Sequence, residues 1–408
     1  MHLSTYNGDS VARDVEGNDA CIFVDKGYKL VPNQHTLEVA VEKKNDLFAL
    51  LRVANMQGSI ACHYKFFNHN ALNFVYSSKI TKKFVTLNDL YSIYKMKLEY
   101  IKCHGSGNEF IMVDAVAQNM DNLPLAALSE AVCNRDAGNG ADGVLLLVKN
   151  SDGLYGMRMF NPDGSEAEMC GNGIRCVARL AEGYVRSERF DLTSGGKVYP
   201  TARYAPVYGD IPTYGVEIGV RLWSDDFKMS PSASGDFIDR VIEPLHPTYR
   251  WSAISVGNPH IVARVDSIDI NTLEALGQRV LQLKDIFPNG VNISLVEVVG
   301  KNRIFVATYE RGAGITASCG TAMTSSATAM ALQGLCDYGV DIAVLNKGGM
   351  VRCICKAEGG LSTTLIGNAS YIERGEIEFD GKCFVKRSLA NFDDEIASWR
   401  EFSETLAR

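Results

Sequence analysis

A chain of 408 residues, 46% of them hydrophobic, has room for two or three domains with buried cores. Its net charge of -7 is spread without long runs, which argues against nucleic acid or an anionic membrane as the main partner, because both call for a basic face. The eleven cysteines are an odd number with no C-x-x-C pair among them, which disfavours both a disulfide framework and a zinc site of ordinary spacing.

Taken in chain order, residues 1–95 hold polar turns, a basic "SSKITKKF" and an amphipathic piece at 87–95, none tied to a chemistry. The first residues are polar and acidic, without the apolar centre of a signal peptide, and the apolar runs that follow, such as "GVLLLV", are strand-sized rather than the ~20 residues of a spanning helix. A cytoplasmic protein acting on a small molecule, with no membrane and no nucleic acid, is the expectation. Met96 opens "MKLEYIKCHGSGNEF", which reads like a protein start, so the stretch before it is expected to be either an appended domain or a mis-assigned start.

From there the pattern is short strands and turns. "GVLLLV", "MRMF", "ISLVEVV" and "RIFVATY" carry the branched and aromatic residues that suit strands, and pairs such as "NPDG" supply turns. A helix is expected directly after Cys170, where Ile174, Val177, Ala178 and Leu180 fall near helical spacing, and another after Cys319, where Ala322, Met323, Ala327 and Met330 do. Cys353 and Cys355 in "RCIC" alternate along a strand and read as core; Cys176, inside its helix, reads as core too. The tail 388–408 spaces Leu389, Phe392, Ile396, Trp399, Phe402 and Leu406 as one helix packed on the body.

These pieces repeat. "GNEFIMVD" (107–114) returns as "GNPHIVARVD" (257–266), "NGADGVLLLV" (139–148) as "FPNGVNISLV" (287–296), and "MRMFNPDGSEAEMCGNG" (157–173) as "FVATYERGAGITASCGTA" (305–322), which sets Cys170 over Cys319. The reading is an α+β chain of two pseudo-symmetric domains, 96–225 and 226–365. A returning segment, 366–380, a C-terminal helical tail, 381–408, and the N-terminal extension, 1–95, complete it.

A helix N-terminus carries partial positive charge and free N–H groups; it lowers the pKa of a cysteine placed there and binds carboxylates. Two such helices facing each other would set a thiolate and a thiol on opposite sides of a small carboxylate. Inverting a stereocentre beside a carboxylate needs that: a base on one face and an acid on the other, exchanging roles with direction. Backbone N–H groups of Gly171, Asn172, Gly320 and Thr321 could hold the carboxylate and stabilise charge spreading into it. Cofactor-free racemisation with no metal is the reading this suggests. "GNGADG" at 138–143 fits G-x-G-x-x-G but precedes a strand, so it fails the context of a dinucleotide site, and no Schiff-base lysine for pyridoxal phosphate stands out.

The motifs "KCHGSGNEFIMVD", "GADG", "FNPDGSEAEMCGNGIRC", "VGNPHIV", "NGVNIS" and "YERGAGITASCGT", in this order over 96–380, resemble the diaminopimelate epimerases. The proline racemases share the two-cysteine plan but typically carry a histidine where this chain has Asn172. The resemblance implies two similar domains, each a set of strands wrapped round a central helix, with diaminopimelate closed between them and no cofactor. It implies Cys170 and Cys319 as the acid–base pair, with His260 and Glu310 near them. It places Asn108, Asn161, Asn258 and Asn292 along the substrate, with Glu310 and Arg311 holding its distal end. A far carboxylate needs a cation and a far ammonium an acceptor, which Arg311 and Glu310 offer. Ile315, Ala322 and "IGNAS" (366–370) depart from the family's usual pattern without removing a catalytic group. The oligomeric state stays open, a homodimer included. A racemase of the same plan for another amino acid, and a non-catalytic amino-acid binding protein, are the alternatives.

Overall fold

The computed structural model describes residues 30–33, 36–41, 74–78, 81–85, 96–118, 120, 123–136, 140–229, 235–379 and 383–406. It divides into two compact units, Met1–Met96 and Lys97–Arg408. In the first, the strands Leu30–Asn33, Thr36–Val41, Phe74–Ser78 and Thr81–Val85 form a four-stranded sheet in sequence order, two antiparallel hairpins joined by a parallel pair. The amphipathic piece expected at 87–95 lies outside the described residues.

The second unit is a duplication that can be read from its strand pairing. Strand Asn108–Asp114 runs parallel to Val144–Lys149 across helix α1 (Leu125–Cys133), and Pro259–Val265 runs parallel to Asn292–Gly300 across helix α3 (Ile270–Val280). Each of those second strands pairs antiparallel with the next, Tyr155–Phe160 or Arg303–Glu310. A short strand then turns back, Glu166–Ala167 or Gly314–Thr316, and a helix follows: α2 (Gly171–Val185) in the first half, α4 (Gly320–Leu332) in the second. After each helix a strand, Arg189–Ser194 or Ile342–Asn346, pairs parallel with the same partner as its counterpart, Tyr155–Phe160 or Arg303–Glu310. The last strands of the halves, Thr213–Gly219 and Ser362–Asn368, pair antiparallel and join them.

Because strands enclose α4 on all sides, its residues cannot be amphipathic. Every residue from Gly320 to Ala331 is buried, and the sequence is small and weakly polar. Its hydroxyls bond back into the helix: Thr324 Oγ1 donates to Gly320 O at 2.9 Å and Thr328 Oγ1 to Thr324 O at 2.8 Å. Helix α2 buries Gly171 to Ala178 and Ala181, and stops at Arg186, which takes the left-handed conformation (φ 55°) and donates its N–H to Glu182 O. One large apolar core surrounds both helices, with Met157, Leu192, Val216, Ile254, Val306 and Leu365 among its members. Cys176, Cys353 and Cys355 are fully buried within it, as their sequence positions indicate.

The tail differs from the single helix read for 388–408. Residues Phe384–Asn391 form a strand antiparallel to Ser370–Phe379, which also pairs with Met96–Gly105; Leu389 is exposed on that strand. Helix α5 (Asp393–Leu406) begins only after it. The spacing misled because a hairpin partner, invisible to local periodicity, draws the first residues into the sheet. Phe402 of α5 is buried and stacks on Tyr208, and the Trp399 ring meets the edge of His104 at 4.8 Å. No helix among the described residues is long and apolar enough to cross a membrane.

Candidate active site

Cys170 is the N-cap of α2 and Cys319 the N-cap of α4, both with extended backbone (φ -138° and -128°). Gly173 N donates to Cys170 Sγ at 3.4 Å, an N-cap bond in which sulfur stands where a serine oxygen usually does. Cys319 Sγ is 3.3 Å from Thr321 Oγ1. The two helix starts meet glycine to glycine: a Cβ added to Gly171 would lie 3.6 Å from Gly320 Cα, and one added to Gly320 would lie 3.3 Å from Asn172 N. Leu365, from a strand packed against both helices, would stand 2.8 Å and 3.1 Å from those two added atoms. Neither position has room for a side chain. Two partial positive charges are thus held together at one point, which costs free energy unless something negative completes it.

The polar residues close round this point in the same way from each half. Asn172 Nδ2 donates to Asn108 Oδ1 at 3.4 Å; at the equivalent place Asn258 Nδ2 donates to Thr321 Oγ1 at 3.3 Å. Beyond Asn258 a chain continues through the buried His260, whose Nε2 is 3.2 Å from Asn258 Oδ1 and 3.4 Å from Asn292 Nδ2. Asn292 Oδ1 in turn accepts the main-chain N–H of Arg311 at 2.8 Å. Arg311, exposed, donates through its guanidinium to Asn289 O at 2.7 Å, and Glu310 beside it accepts Thr316 Oγ1 at 2.5 Å. Asn258, His260, Asn292, Glu310, Arg311, Thr321 and Cys319 therefore form one connected group. Asn161 does not join it by a side-chain bond; its amide bonds Ser165 Oγ at 3.0 Å inside its own turn.

The electrostatics correct one expectation. A helix N-terminus alone would lower both thiols, yet burial outweighs it. The Cys170 thiol is pushed up to about 11, with the N–H groups of Gly173 and Asn172 and the charge of Arg175 pulling the other way. Burial also pushes Cys319 well up, and the neighbouring Glu310 carboxylate adds to it. His260 is driven down to about 3, by burial first and by Arg311 second, so it is neutral. Neutral His260 keeps positive charge away from the cysteine of its own half.

Sequence reasoning passed over several residues that position this group. Asp142 accepts Asn108 Nδ2 at 2.7 Å and Glu109 N at 2.9 Å and pairs with Arg135 at 2.6 Å, so it sets the Asn108 amide. It stands in the quoted "GADG", where its acceptor role was the available signal. Arg175 and Leu365 act through long-range packing, for which local sequence carries no sign.

Two cysteine-capped helices thus meet start to start, each ringed by one copy of a duplicated strand plan. The diaminopimelate epimerase family model matches residues 100–201 and 252–372. This chain belongs to that family. A diaminopimelate epimerase of Clostridium acetobutylicum is 34% identical over 315 residues, covering 76% of this chain and 95% of that one. One from Ligilactobacillus salivarius is 36% identical over 323 residues, covering 76% and 97%. These shares exceed what residues 96–380 supply, so the likeness runs beyond the stretch in which the motifs lie. Among solved structures, a Bacillus anthracis phenazine biosynthesis protein of the PhzF family aligns with TM-score 0.51 at 14% identity, covering 69% of this chain and 99% of that one; it shares the fold.

Proposed function

We propose that this member of the diaminopimelate epimerase family interconverts LL- and meso-diaminopimelate without a cofactor, in lysine and cell-wall precursor synthesis. The observation that carries the reading is the abutment of two helices at Gly171 and Gly320, each capped by a cysteine. The thiolate Sγ of one cysteine takes the α-proton; the C–H electron pair stays on the α-carbon and spreads into the carboxylate. The thiol of the other cysteine then delivers its proton to the opposite face, leaving a thiolate there.

Proton transfer by a placed acid or base is worth about 10²–10⁴-fold, which does not by itself overcome the weak acidity of an amino-acid α-carbon. The larger contribution falls to the N–H groups of Gly171, Asn172, Gly320 and Thr321, whose converging dipoles are completed by the α-carboxylate and its growing charge. Burial that raises both thiol pKa values also makes the thiolate, once formed, a stronger base. Asn172 Oδ1, buried and making no hydrogen bond within the protein, is an acceptor for the α-ammonium, with Asn108 and Asn258 framing it.

Arg311 gives the distal carboxylate a bidentate partner and Glu310 the distal ammonium an acceptor. Arg311→Ala is expected to raise KM for diaminopimelate about 10–100-fold, the worth of one charged hydrogen-bond pair. Equal turnover of amino acids lacking a distal carboxylate, or an unchanged KM in Arg311→Ala, would exclude diaminopimelate as the substrate and leave a racemase of the same plan.

A further inference from the structure

The two halves match in strands, helices and caps, but they differ in charge five residues after each cysteine. In the first half that residue is Arg175, on α2; in the second it is Thr324, on α4. Both donate to the same equivalent carbonyl, Arg175 through Nη1 to Gly171 O at 2.9 Å and Thr324 through Oγ1 to Gly320 O at 2.9 Å. The hydrogen bond is shared by the halves, and the charge is not.

Arg175 is wholly buried, one of the largest side chains in the interior to be so. Its other bonds go to neutral groups, Nη2 to Ser106 Oγ at 3.1 Å and Nε to Asn368 O at 3.3 Å. Among the described residues the charged groups that act on it are thiols, with no carboxylate among them. An isolated buried cation costs several kcal/mol and normally occurs only beside an anion or where one forms. Space is shaped around it: a Cβ on Gly105 or on Gly367 would fall 3.0 Å or 2.9 Å from Nη2.

The titratable groups that face it are few. His104, from strand Met96–Gly105, is buried and held down to about 4 by burial and by Arg175 itself, so it is neutral and supplies no counter-charge. The remaining groups are thiols: Cys170 and Cys176 on its own helix, and Cys353 from the strand Gly349–Lys356. Cys176 and Cys353 lie at zero exposure in the apolar core, whereas Cys170 is half-buried at the meeting point of the helices. On the other side Cys319 faces a carboxylate, Glu310, together with the Thr321 hydroxyl and the Ala322 N–H. A cation stands behind one cysteine and an anion beside the other.

We propose that Arg175 is a positioning residue, a counter-charge built behind Cys170 that makes Cys170, and not Cys319, the first of the pair to ionise. This rests on the reading of Cys170 and Cys319 as the proton-transfer pair. Its consequence is a directional asymmetry in an otherwise symmetric site. The stereoisomer whose α-proton faces Cys170 is served by the thiol that gives up its proton more readily. The other isomer depends on Cys319, which gives up its proton less readily.

The test follows each thiolate by alkylation, which does not depend on turnover. The full chain is treated with iodoacetamide at fixed pH between about 7 and 9, and the alkylation rates of the peptides holding Cys170 and Cys319 are measured by mass spectrometry. In the unaltered chain Cys170 is expected to be alkylated faster than Cys319. In Arg175→Met the Cys170 rate is expected to fall about 10–1000-fold, the usual effect of losing a close opposite charge, with the Cys319 rate in place. Arg175→Lys, which keeps charge but loses the guanidinium fork, is expected to retain most of the difference. Cys319 alkylated as fast as Cys170 or faster in the unaltered chain overturns the proposal even if neither variant folds. An unchanged Cys170 rate in Arg175→Met overturns it too. Failure of the epimerase reading alone would leave the alkylation rates as expected while diaminopimelate is not turned over.

Discussion

At Cys170 and Cys319 two forces oppose one another: the helix N-terminus favours a thiolate and the surrounding core disfavours it. The core wins at both. Cys170→Ser and Cys319→Ser keep an N-cap side chain able to accept from the helix, so each variant should stay folded. Each is expected to lose about 10²–10⁴-fold or more in kcat, because a serine hydroxyl is far less acidic than a thiol. Circular dichroism and turnover on one sample check this; retention of more than a tenth of the activity in either would remove that residue from the proposed pair. The buried histidines give a second prediction. His104 and His260 have folded pKa values near 4 and 3, below the ordinary 6.5. Between those values the unfolded chain binds protons that the folded chain refuses. Stability is therefore full above about pH 6.5 and lost as pH falls, by about 1.4 kcal/mol per pH unit per histidine. Urea unfolding at pH 7 and pH 5 should show this loss, and His260→Gln should reduce it; an identical slope in the variant would contradict it.

Cys170, Cys319 and the glycines after them stood out in sequence because the duplicated motif states them twice, each directly before its helix; the Glu310–Arg311 pair, matched by Asn161 and Pro162 in the first half, came only from the family resemblance and the needs of a substrate charged at both ends. What local sequence could not state is which groups the fold brings up from behind. Arg175 reads as one more charged helix residue until the burial of its guanidinium against Ser106 and Asn368 is seen. Asn161, read as lining the substrate, has its amide engaged within its own turn.

Among the elements, α3 shows how tertiary packing overrides helix propensity. Gly277 lies inside it, where alanine should be favoured by about 1 kcal/mol in an isolated helix. A Cβ there would sit 2.2 Å from Tyr309 Cγ and 2.5 Å from both Tyr309 Cδ atoms, a collision with the middle of a rigid ring. Gly277→Ala is thus expected to destabilise the chain by about 1–3 kcal/mol, and to weaken turnover because Tyr309 adjoins Glu310. An increase in melting temperature would show that the ring can move aside. The same override explains the tail. Residues of 384–391 that keep helical spacing with α5 are taken by a strand partner, and α5 is then fastened through Glu395. Its carboxylate accepts both Nη atoms of Arg179, at 2.7 and 2.8 Å, and Arg179 lies over the Tyr371 ring.

For the Lys97–Arg408 unit as a whole, duplication is the organising fact. One strand plan is used twice, the halves join through Thr213–Gly219 and Ser362–Asn368, and the two central helices point their starts at a shared spot. That plan was legible because the repeat preserves strand-forming runs and turn residues at one offset. Pseudo-symmetry suits a reaction that must run from either face of one carbon, and the single cation at Arg175 is what breaks it. The sheet of residues 30–85 has no counterpart in the duplication.

The central claim, that one cysteine removes the α-proton and the other returns a different one, is tested most directly by the fate of that proton. LL-diaminopimelate is incubated with the full chain and a thiol reductant in deuterium oxide, and both isomers are sampled at early times by proton NMR and mass spectrometry. The account predicts that the meso product carries deuterium at the inverted carbon while the remaining LL substrate keeps its proton. Deuterium appearing in substrate and product at the same rate would show a single exchanging base serving both faces and would contradict the account.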